Sequence, residues 1–427
     1  MTLPPLHDAT TPSSSAQQPR RIAIIGAGAA GTMAAIFAGR AGAEVILLER
    51  TTDGGMKIII SGGGRCNILP ARLDEKRFIT DSSPNTLRKI VRSWPLAEQI
   101  AFFNDELGLA LVEEEETAKL FPASNRARDV RDGLLSLAAR HGVRFRPNSN
   151  VTGIEPLEGK RWRLAIENAP SLDVDAVIVA SGGLSVPKTG SDGIGLQIAR
   201  RLGHTIHKTY PALTPLTADA NAYTELAGIS LPVTLTAHSA ERSATATGGF
   251  LFTHRGYSGP SVLDVSHVAV RSKARGAELA RVSVRWSSRD ADEWLRALRR
   301  SGNRSVLGIV REALPDRLAV VILWQAGIDA AASLPDLKRE ERGRLIDVLT
   351  NGPLPWSGDE GYAKAEVTGG GVSLAEIDPR TMQSRLHGNL FLCGELLDAF
   401  GPIGGYNFLW AWATGRAAGI GAAHEEH

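Results

Sequence analysis

One stretch near the start of the chain, residues 20–50, restricts the possible folds of this protein more than any other. Its sequence is RRIAIIGAGAAGTMAAIFAGRAGAEVILLER. Ile22–Ile25 is a short apolar run of the kind that is buried in parallel sheets. A small-residue helix is predicted over Thr32–Arg40, and between them stand three glycines with the spacing G-x-G-x-x-G: Gly26, Gly28 and Gly31. The order of strand, tight turn and helix predicts a dinucleotide-binding unit.

The second strand of this unit, Glu44–Leu48, ends at Glu49, which follows Gly26 by 23 residues. A carboxylate at this place suits hydrogen bonds from a ribose, as in FAD or NAD. The backbone of the turn and the positive end of the helix, with Ala29 and Ala30, would hold a pyrophosphate. A glycine-rich structural turn is the alternative. Arg50 is a further cofactor-binding candidate, although a solvated side chain is the simpler interpretation.

Two later segments favour FAD over NAD. A buried strand over Ala176–Ala180 is followed by Ser181, Gly182 and Gly183, and a strand over Leu390–Cys393 is followed by Gly394 and Glu395. A long helix then begins with Gly404, Gly405, Tyr406 and Asn407, and its N-terminus could face the flavin where negative charge develops on reduction. A site built from both ends of the chain is typical of FAD proteins, whereas a simple NAD dehydrogenase does not need the second end.

A glycine-rich loop follows the second strand closely. Three consecutive glycines suit neither a helix nor a strand, but they allow backbone to lie directly on a ligand. Flanking cations could neutralise the pyrophosphate or the reduced flavin. The cofactor-binding candidates of this loop are Lys57, Ser61, Gly62, Gly63, Gly64, Arg65, Cys66 and Asn67. A flexible surface loop is the alternative, and a catalytic role for the Cys66 thiol is a minor one.

Composition excludes several classes of protein. The 427 residues include 48 basic and 46 acidic ones, so charge alone does not predict a polyanion-binding chain. The two cysteines, Cys66 and Cys393, are far apart, which argues against a local dithiol or zinc motif and suits a reducing cytoplasm. The first 20 residues lack an apolar core, which predicts a disordered tail and no secretory signal. No metal site and no membrane span are expected.

Candidate chemistry beyond the cofactor is limited to three side chains. His254, in the run FLFTHRGYSGPSVL, could exchange a proton beside the flavin, or it could simply bond a turn carbonyl. Tyr406 and Asn407 could shape the substrate face of the flavin, or Asn407 could only cap its helix. No second strand–G-x-G-x-x-G–helix unit recurs. We therefore expect no separate nicotinamide domain, and NAD(P)H would act as a transient electron donor at the open flavin face.

These motifs together resemble the YhiN-like flavoproteins, the family of BaiN and aminoacetone oxidase-type proteins described as NAD(P)/FAD-dependent oxidoreductases. The residues that carry the resemblance run from about 21 to 420 and include IIGAGAAG, GGMKIIISGGGRCN, LFPASNRARDV, VIVASGGLSVPKTGSDGIG, FLFTHRGYSGPSVLDVS, VTGGGV and GELLDAFGPIGGYNFLWAWATGRAAG. This chain has Ala118-Lys119-Leu120 where the family usually has Gly-Arg before Phe-Pro, and it differs locally at Phe400–Ile403. The resemblance implies no single substrate.

The resemblance implies a two-ended Rossmann-type FAD-binding domain with a β-rich, barrel-like insert and a helical subdomain, and backbone near Val151 at the adenine. With the sequence pattern it predicts a tail over 1–20, an FAD domain over 21–203 and 363–427, a β-rich insert over 204–290 and 350–362, and a helical subdomain over 291–349. The expected function is cytoplasmic, FAD-dependent transfer of a hydride equivalent to or from a small unsaturated, amine or ketone substrate, with NAD(P)H or dioxygen as the second partner.

Two other functions stay open. A flavin could reduce a uracil base in ribosomal RNA, for which a cluster of arginines in the insert could supply a basic patch: Arg271, Arg275, Arg281, Arg285, Arg299 and Arg300. A solvated charged surface is the favoured interpretation of that cluster. The third possibility is a sensor that holds FAD without turnover. The sequence gives no prediction of oligomeric state.

Overall fold

The computed structural model describes residues 18–219, 223–276, 278–299 and 302–424. Residues 1–17, which make up most of the predicted tail, lie outside the described part. Arg20, predicted as the last residue of the tail, instead belongs to the folded part, because its carbonyl accepts a hydrogen bond from the Glu44 N–H at 2.9 Å.

The strands of the described residues are, in chain order, β1 (Arg21–Ile25), β2 (Glu44–Leu48), β3 (Leu69–Pro70), β4 (Leu111–Glu114), β5 (Lys119–Pro122), β6 (Arg144–Arg146), β7 (Val151–Pro156), β8 (Trp162–Ile166), β9 (Leu172–Val174), β10 (Ala176–Val179), β11 (Ile206–Ala212), β12 (Leu216–Thr217), β13 (Ser230–His238), β14 (Ser243–Thr253), β15 (Gly256–Ser258), β16 (Arg281–Arg285), β17 (Gly352–Pro353), β18 (Gly358–Asp359), β19 (Val367–Val372) and β20 (Leu390–Leu392).

The α-helices of the same residues are α1 (Ala29–Arg40), α2 (Met56–Ile60), α3 (Pro84–Arg92), α4 (Leu96–Ala101), α5 (Ala127–Arg140), α6 (Ile194–Arg201), α7 (Pro260–Ala274), α8 (Ala291–Ala297), α9 (Val306–Arg311), α10 (Asp316–Gln325), α11 (Arg339–Asn351) and α12 (Tyr406–Ala423).

The two ends of the chain together form a five-stranded parallel sheet, with the strand order β20-β10-β1-β2-β6. Its central strands are apolar and almost wholly buried, as expected when helices cover both faces of a parallel sheet. Strand β20 joins the sheet beside β10, with Val177 opposite Leu390. The carboxyl ends of strands from both ends of the chain therefore meet at one edge, where parallel α/β sheets bind ligands.

Close packing of two helices joins the ends of the chain. Helices α1 and α12 meet through Gly415 and Gly419 of α12, which lie against the backbone of Ala30 and Ala34. A Cβ at either glycine would stand 2.3 Å from a carbonyl oxygen of α1. Small residues in both helices are thus required by the approach of the backbones, which explains why both helices lack a polar face.

The middle of the chain forms a seven-stranded antiparallel sheet in the order β17-β16-β13-β14-β15-β12-β18. Its edge strands, β17 and β18, are separated by only four residues, 354–357, so the sheet curls back toward itself. Helix α7 packs on this sheet, and helices α8 to α11 follow it in the chain. The antiparallel pair β11–β19 leads from this part back to the parallel sheet. The predicted fold class is confirmed, while the predicted domain boundaries stay predictions.

The apolar spacing of residues 87–107 predicts a helix, and the structure differs locally from this prediction. Helix α3 ends at Arg92 and α4 begins at Leu96, because Pro95 lies between them and cannot continue a helix. A π-helical turn over Phe102–Glu106 follows. The break turns the chain so that Trp94 and Phe102 meet edge to face, with ring centroids 5.4 Å apart.

Candidate active site

A cavity of about 490 Å³ runs along the carboxyl edge of the parallel sheet, a size typical of ligand sites. One end lies at the glycine turn after β1 and at Glu49 after β2. The other end lies at the start of α12 and at the strand β19. We call these the nucleotide end and the far end.

At the nucleotide end the glycine turn has the geometry that the motif predicts. Gly26 has φ +100, a conformation that side chains rarely adopt. A Cβ at Gly31 would stand 1.9 Å from the Gly26 carbonyl oxygen, which shows how closely the helix packs on the turn. By contrast, a Cβ at Gly28 would meet nothing within 4 Å, because it would point into the cavity. Gly28 therefore leaves room for a ligand and Gly31 leaves room for the protein.

Glu49 is buried and fixed by backbone. One carboxylate oxygen accepts from the Ala27 N–H at 2.8 Å, and the other accepts from the N–H and the hydroxyl of Thr51 at 2.8 and 2.7 Å. These bonds hold the carboxylate on the cavity wall, where a ribose hydroxyl could donate to it. Next to it, Arg50 pairs with Asp192 at the protein surface and also lines the cavity.

The glycine-rich loop forms a short helix followed by a tight coil. Lys57 belongs to α2, and Gly62, Gly63 and Gly64 all have positive φ. Gly63 and Gly64 have open space where a Cβ would stand. Arg65 lies over the Phe121 ring at 4.1 Å and bonds Glu114 at 3.0 Å. The loop therefore presents backbone to the cavity, while its arginine is already paired.

A network of polar groups surrounds Glu395 in the middle of the cavity. Glu395 pairs with Lys57 and accepts from the Ser185 hydroxyl. The same carboxylate accepts from the N–H and hydroxyl of Thr368 at 2.9 and 2.8 Å. Lys57 also donates to Ser185 at 2.6 Å. Lys57, predicted to neutralise pyrophosphate or reduced flavin, thus has a carboxylate partner, which reduces its charge toward any ligand.

The far end contains two titratable side chains, those of Lys119 and Glu366, that have no hydrogen-bond or ion-pair partner within the described residues. Lys119 begins β5, and Glu366 directly precedes β19; both line the cavity. Within the described residues neither side chain makes a hydrogen bond or an ion pair. Burial raises the pKa of Glu366, the nearby Asp264 raises it further, and Lys119 opposes both effects.

Asp264 stands behind this pair on α7. It accepts from the Ile403 N–H at 2.8 Å and lies 3.5 Å from Arg77. Burial raises the pKa of Asp264 to about 6, although the Ile403 bond and the charges of Arg77 and Lys119 act in the opposite direction. At neutral pH the carboxylate is therefore mostly ionised, and it adds negative charge beside Glu366.

Helix α12 begins at the far end. Gly405 precedes it with φ +89, and a Cβ there would stand 2.3 Å from the carbonyl carbon of Leu69. The Trp410 indole donates to the Gly394 carbonyl at 3.0 Å, which fixes the helix against the end of β20. The first N–H groups of a helix lack partners within it, so this end offers positive charge to a ligand.

Many of the predicted cofactor-binding residues line this one cavity. They come from segments up to 380 residues apart and comprise Gly26, Gly28, Ala29, Ala30, Glu49, Arg50, Lys57, Ser61, Gly62, Gly63, Arg65, Asn67, Val151, Ser181, Gly182, Gly394, Glu395, Gly404, Gly405 and Asn407. The Asn407 amide bonds both backbone groups of Gly401, at 2.9 and 3.0 Å, so it supports the 401–402 loop rather than capping its helix.

Several predicted cofactor-binding residues do not line the cavity. Gly31, Gly64 and Gly183 are not on its wall; a Cβ at Gly183 would stand 2.4 Å from the Thr368 hydroxyl, so this glycine makes room for protein. Cys66 is fully buried away from the cavity, and burial raises the pKa of its thiol to about 12, against a thiolate role.

Two predicted catalytic side chains also lie elsewhere. The Tyr406 hydroxyl points to the 72–74 loop, where it accepts from the Asp74 N–H at 3.2 Å and lies 3.4 Å from the Arg72 carbonyl. His254 is exposed on the turn between β14 and β15, outside the cavity wall. We correct both predictions: Tyr406 fixes a loop, and His254 lies in a solvent-facing hairpin.

Sequence reasoning missed Lys119 and Glu366 as site residues. Each had a signal, because Lys119 lies where the resembling family usually has arginine, and Glu366 immediately precedes the VTGGGV motif. Ala118 adopts φ +50, a conformation that glycine favours, which suits the glycine that the resembling family usually has at this position.

The residues of the cavity fit FAD. The open space at Gly28 and Gly63 leaves room for a pyrophosphate, Glu49 suits a ribose, and the α12 N-terminus suits a flavin edge. Ser181 lines the same cavity, and its hydroxyl is buried without a hydrogen-bond partner in the described residues. These features define an FAD-dependent oxidoreductase.

Residues 20–421 match the HI0933-like protein Rossmann domain family, and the chain belongs to this family. The resemblance to the YhiN-like and BaiN-type proteins is thereby confirmed. Helices long and apolar enough to cross a membrane do not occur among the described residues.

Three curated relatives cover nearly the whole chain. A ribosomal RNA dihydrouridine synthase of Escherichia coli strain K12 is 33% identical over 398 residues, which cover 92% of this chain and 96% of the relative. A protein of the same name from Haemophilus influenzae is 30% identical and covers 94% and 98%. A 3-dehydro-bile acid delta(4,6)-reductase of Clostridium scindens is 30% identical and covers 94% and 99%.

Proposed function

We propose that this protein reduces a carbon–carbon double bond conjugated with a carbonyl group, and that its substrate is a uracil base of ribosomal RNA. Bound FAD would supply the hydride equivalent, and NAD(P)H would reduce FAD between turnovers. The two kinds of relative are named for unlike substrates, a nucleic acid base and a bile acid. Both names nevertheless describe the same chemistry, because uracil and a 3-oxo-4,6-diene each contain a double bond next to a carbonyl.

The proposal is supported by two positive groups at the far end of the cavity, the Lys119 side chain and the N-terminus of α12. When a conjugated double bond is reduced, negative charge develops on the carbonyl oxygen. Lys119 and the N-terminus of α12 line the same end of the cavity, and both could meet that charge. Such groups aid reduction of a conjugated bond far more than oxidation of an isolated one.

The ribosomal RNA part of the proposal rests on the two synthase relatives. The Escherichia coli synthase is 33% identical to this chain, whereas the bile acid reductase is 30% identical. The arginine cluster considered from the sequence gives it little support. Arg271 is buried and bonds Asp81 at 2.9 Å, and Arg275 bonds Glu241 at 2.6 Å, so both charges are neutralised. Arg300 lies outside the described residues. The remaining arginines, Arg281, Arg285 and Arg299, are not enough for one continuous basic patch.

A closer set of exposed cations lies beside the far end. Arg72 and Lys76 are exposed on the loop that Tyr406 fixes at the start of α12. Arg77 is half exposed as well, but it pairs with Asp264 at 3.5 Å, so its charge is partly neutralised. Arg72 and Lys76 could contact phosphates of an RNA whose base enters the cavity, and this contact would weaken with added salt.

The test compares two substrates with the FAD-loaded protein and NAD(P)H. One is ribosomal RNA from cells that lack the protein, assayed for dihydrouridine by mass spectrometry; the other is a 3-oxo-4,6-diene steroid. We expect dihydrouridine at one or few positions, less product at higher salt, and no steroid reduction. Arg72→Ala with Lys76→Ala should lower RNA turnover, and Arg299→Ala, far along the chain in the helical region, is the control.

Steroid reduction with inert RNA would overturn the RNA part and leave the reaction class. Turnover of neither, with FAD firmly bound and reducible, would overturn the reaction class as well.

A further inference from the structure

We infer that Glu366 is the catalytic acid of this site, which donates the proton that completes reduction of the double bond. The inference rests on the proposed function. It concerns a side chain that the glycine motifs and the cofactor site do not explain. Three features of Glu366 support this role: its position on the cavity wall, its lack of a hydrogen-bond or ion-pair partner within the described residues, and the charges around it.

Backbone hydrogen bonds and regular structure hold Glu366 at the cavity wall. The backbone N–H of Glu366 donates to the Leu213 carbonyl at 3.1 Å, and the next residue enters β19, which pairs with β11. The residue is therefore held on regular structure at the cavity wall. Glu366 is exposed, and it lines the cavity together with Lys119 and Ile403.

The other two acids of the wall are already in use. Glu49 accepts hydrogen bonds from Ala27 and Thr51, and Glu395 is paired with Lys57 and bonded by Thr368. Glu366 alone among the acids of the cavity wall has no recorded partner within the described residues. A carboxyl group without such bonds can approach a substrate without breaking an existing one.

Burial and a neighbouring negative charge favour the protonated form of Glu366, and a neighbouring positive charge opposes them. The charged groups near it are Asp264 on α7 and Lys119 on β5, with Arg77 beyond, next to Asp264. Burial and Asp264 raise the pKa of Glu366, and Lys119 lowers it. A carboxylic acid with a raised pKa is the form of glutamate that can act as a general acid near neutral pH.

Reduced FAD, when bound, would supply a hydride, which is two electrons and one proton, to the β-carbon of the conjugated bond. The enolate charge that develops as the π bond is lost would face Lys119. The O–H bond of Glu366 then breaks as its proton forms a C–H bond at the α-carbon. The carbonyl is restored, Glu366 is left ionised, and water returns its proton. NAD(P)H supplies the two electrons overall.

The test uses the two neighbours to move the pKa of Glu366 in opposite directions. Turnover should fall with rising pH as Glu366 loses its proton. Asp264→Asn removes a negative charge and should shift this fall to lower pH, while Lys119→Met removes a positive charge and should shift it to higher pH. Glu366→Gln should abolish the fall and lower kcat by about 10²–10⁴-fold. Glu360→Gln and Lys364→Met, from the same segment but outside the cavity wall, should keep the wild-type profile.

A second readout does not depend on turnover. The pH titration of the Glu366 carboxyl group, obtained as the infrared difference between wild type and Glu366→Gln, should show the same two opposite shifts. Unchanged pH profiles in a wild type that does reduce RNA or steroid would overturn the role of Glu366 and leave the proposed function intact. If no substrate is reduced, the infrared titration still decides whether Glu366 holds a proton near neutral pH, and an ordinary titration would overturn the inference by itself.

Discussion

At the nucleotide end of the cavity, both oxygens of Glu49 accept hydrogen bonds from protein N–H or O–H groups. At the far end, the side chains of Lys119 and Glu366 make no such bonds within the described residues, although the protein surrounds the pair closely enough to raise the pKa of Glu366. The acid of the first end is held by protein groups, whereas the two side chains of the second end are not. Under the proposed function, the first end binds the cofactor and the second end takes part in the reaction.

The largest effect of a substitution at the nucleotide end is expected at Gly31. Gly31→Ala places a Cβ against the Gly26 carbonyl, so we expect a loss of at least about 3 kcal/mol in the free energy of unfolding, measured by urea denaturation. Gly28→Ala is the matched control: it should leave the unfolding free energy near wild type and weaken only FAD binding, since its Cβ enters the open cavity. Equal stability of the two variants would contradict this account of the turn.

Glu49→Ala should weaken FAD binding by about 1–3 kcal/mol, because the ribose loses a charged hydrogen-bond acceptor. The dissociation constant, measured by flavin fluorescence, would report it. Glu44→Ala, on the same strand, removes only surface ion pairs with Arg21 and Arg144 and is the control. An unchanged dissociation constant for Glu49→Ala would mean that another group binds the ribose.

The buried Asp264 carboxylate lowers the free energy of unfolding at a pH where it is ionised. Its folded-state pKa, about 6, is above its usual value of 3.8, so the folded protein binds more protons than the unfolded chain between these values. Stability from this group is therefore present below pH 4 and is lost as pH rises through 6. Asp264→Asn should be about 1–3 kcal/mol more stable than wild type at pH 8 and no more stable at pH 4. Urea denaturation at both pH values measures it, and a benefit that is the same at both would refute it.

The smallest effect is expected at Cys66. Because the thiol is buried and protonated, Cys66→Ala should leave kcat within about twofold while costing about 1 kcal/mol in stability through lost packing. Steady-state kinetics and urea denaturation of the variant measure the two effects. A large loss of kcat with an intact fold would return Cys66 to the list of catalytic candidates.

How much the sequence could predict differs between the two ends in the same way. The nucleotide end follows from local rules, since a turn, a helix start and an acid at fixed spacing determine their own geometry. The far end depends on contacts between β5, β19 and α7, which are more than 90 residues apart in the chain, so no local spacing predicts them. His254 and Tyr406 show the same limit: their residue types suit catalysis, but the direction of each side chain is set by tertiary packing.

The position of β20 and α12 has a consequence for how the protein is made. The strand β1 is among the first described elements to be synthesised, yet β20 and α12, which complete its sheet and cover α1, come about 370 residues later. Until then the apolar surfaces of α1 and β10 have no permanent cover, whereas the antiparallel insert already has its own buried core. A nascent chain therefore carries a folded middle before a folded beginning, and a chain cut short before residue 390 would expose that surface to chaperones and proteases.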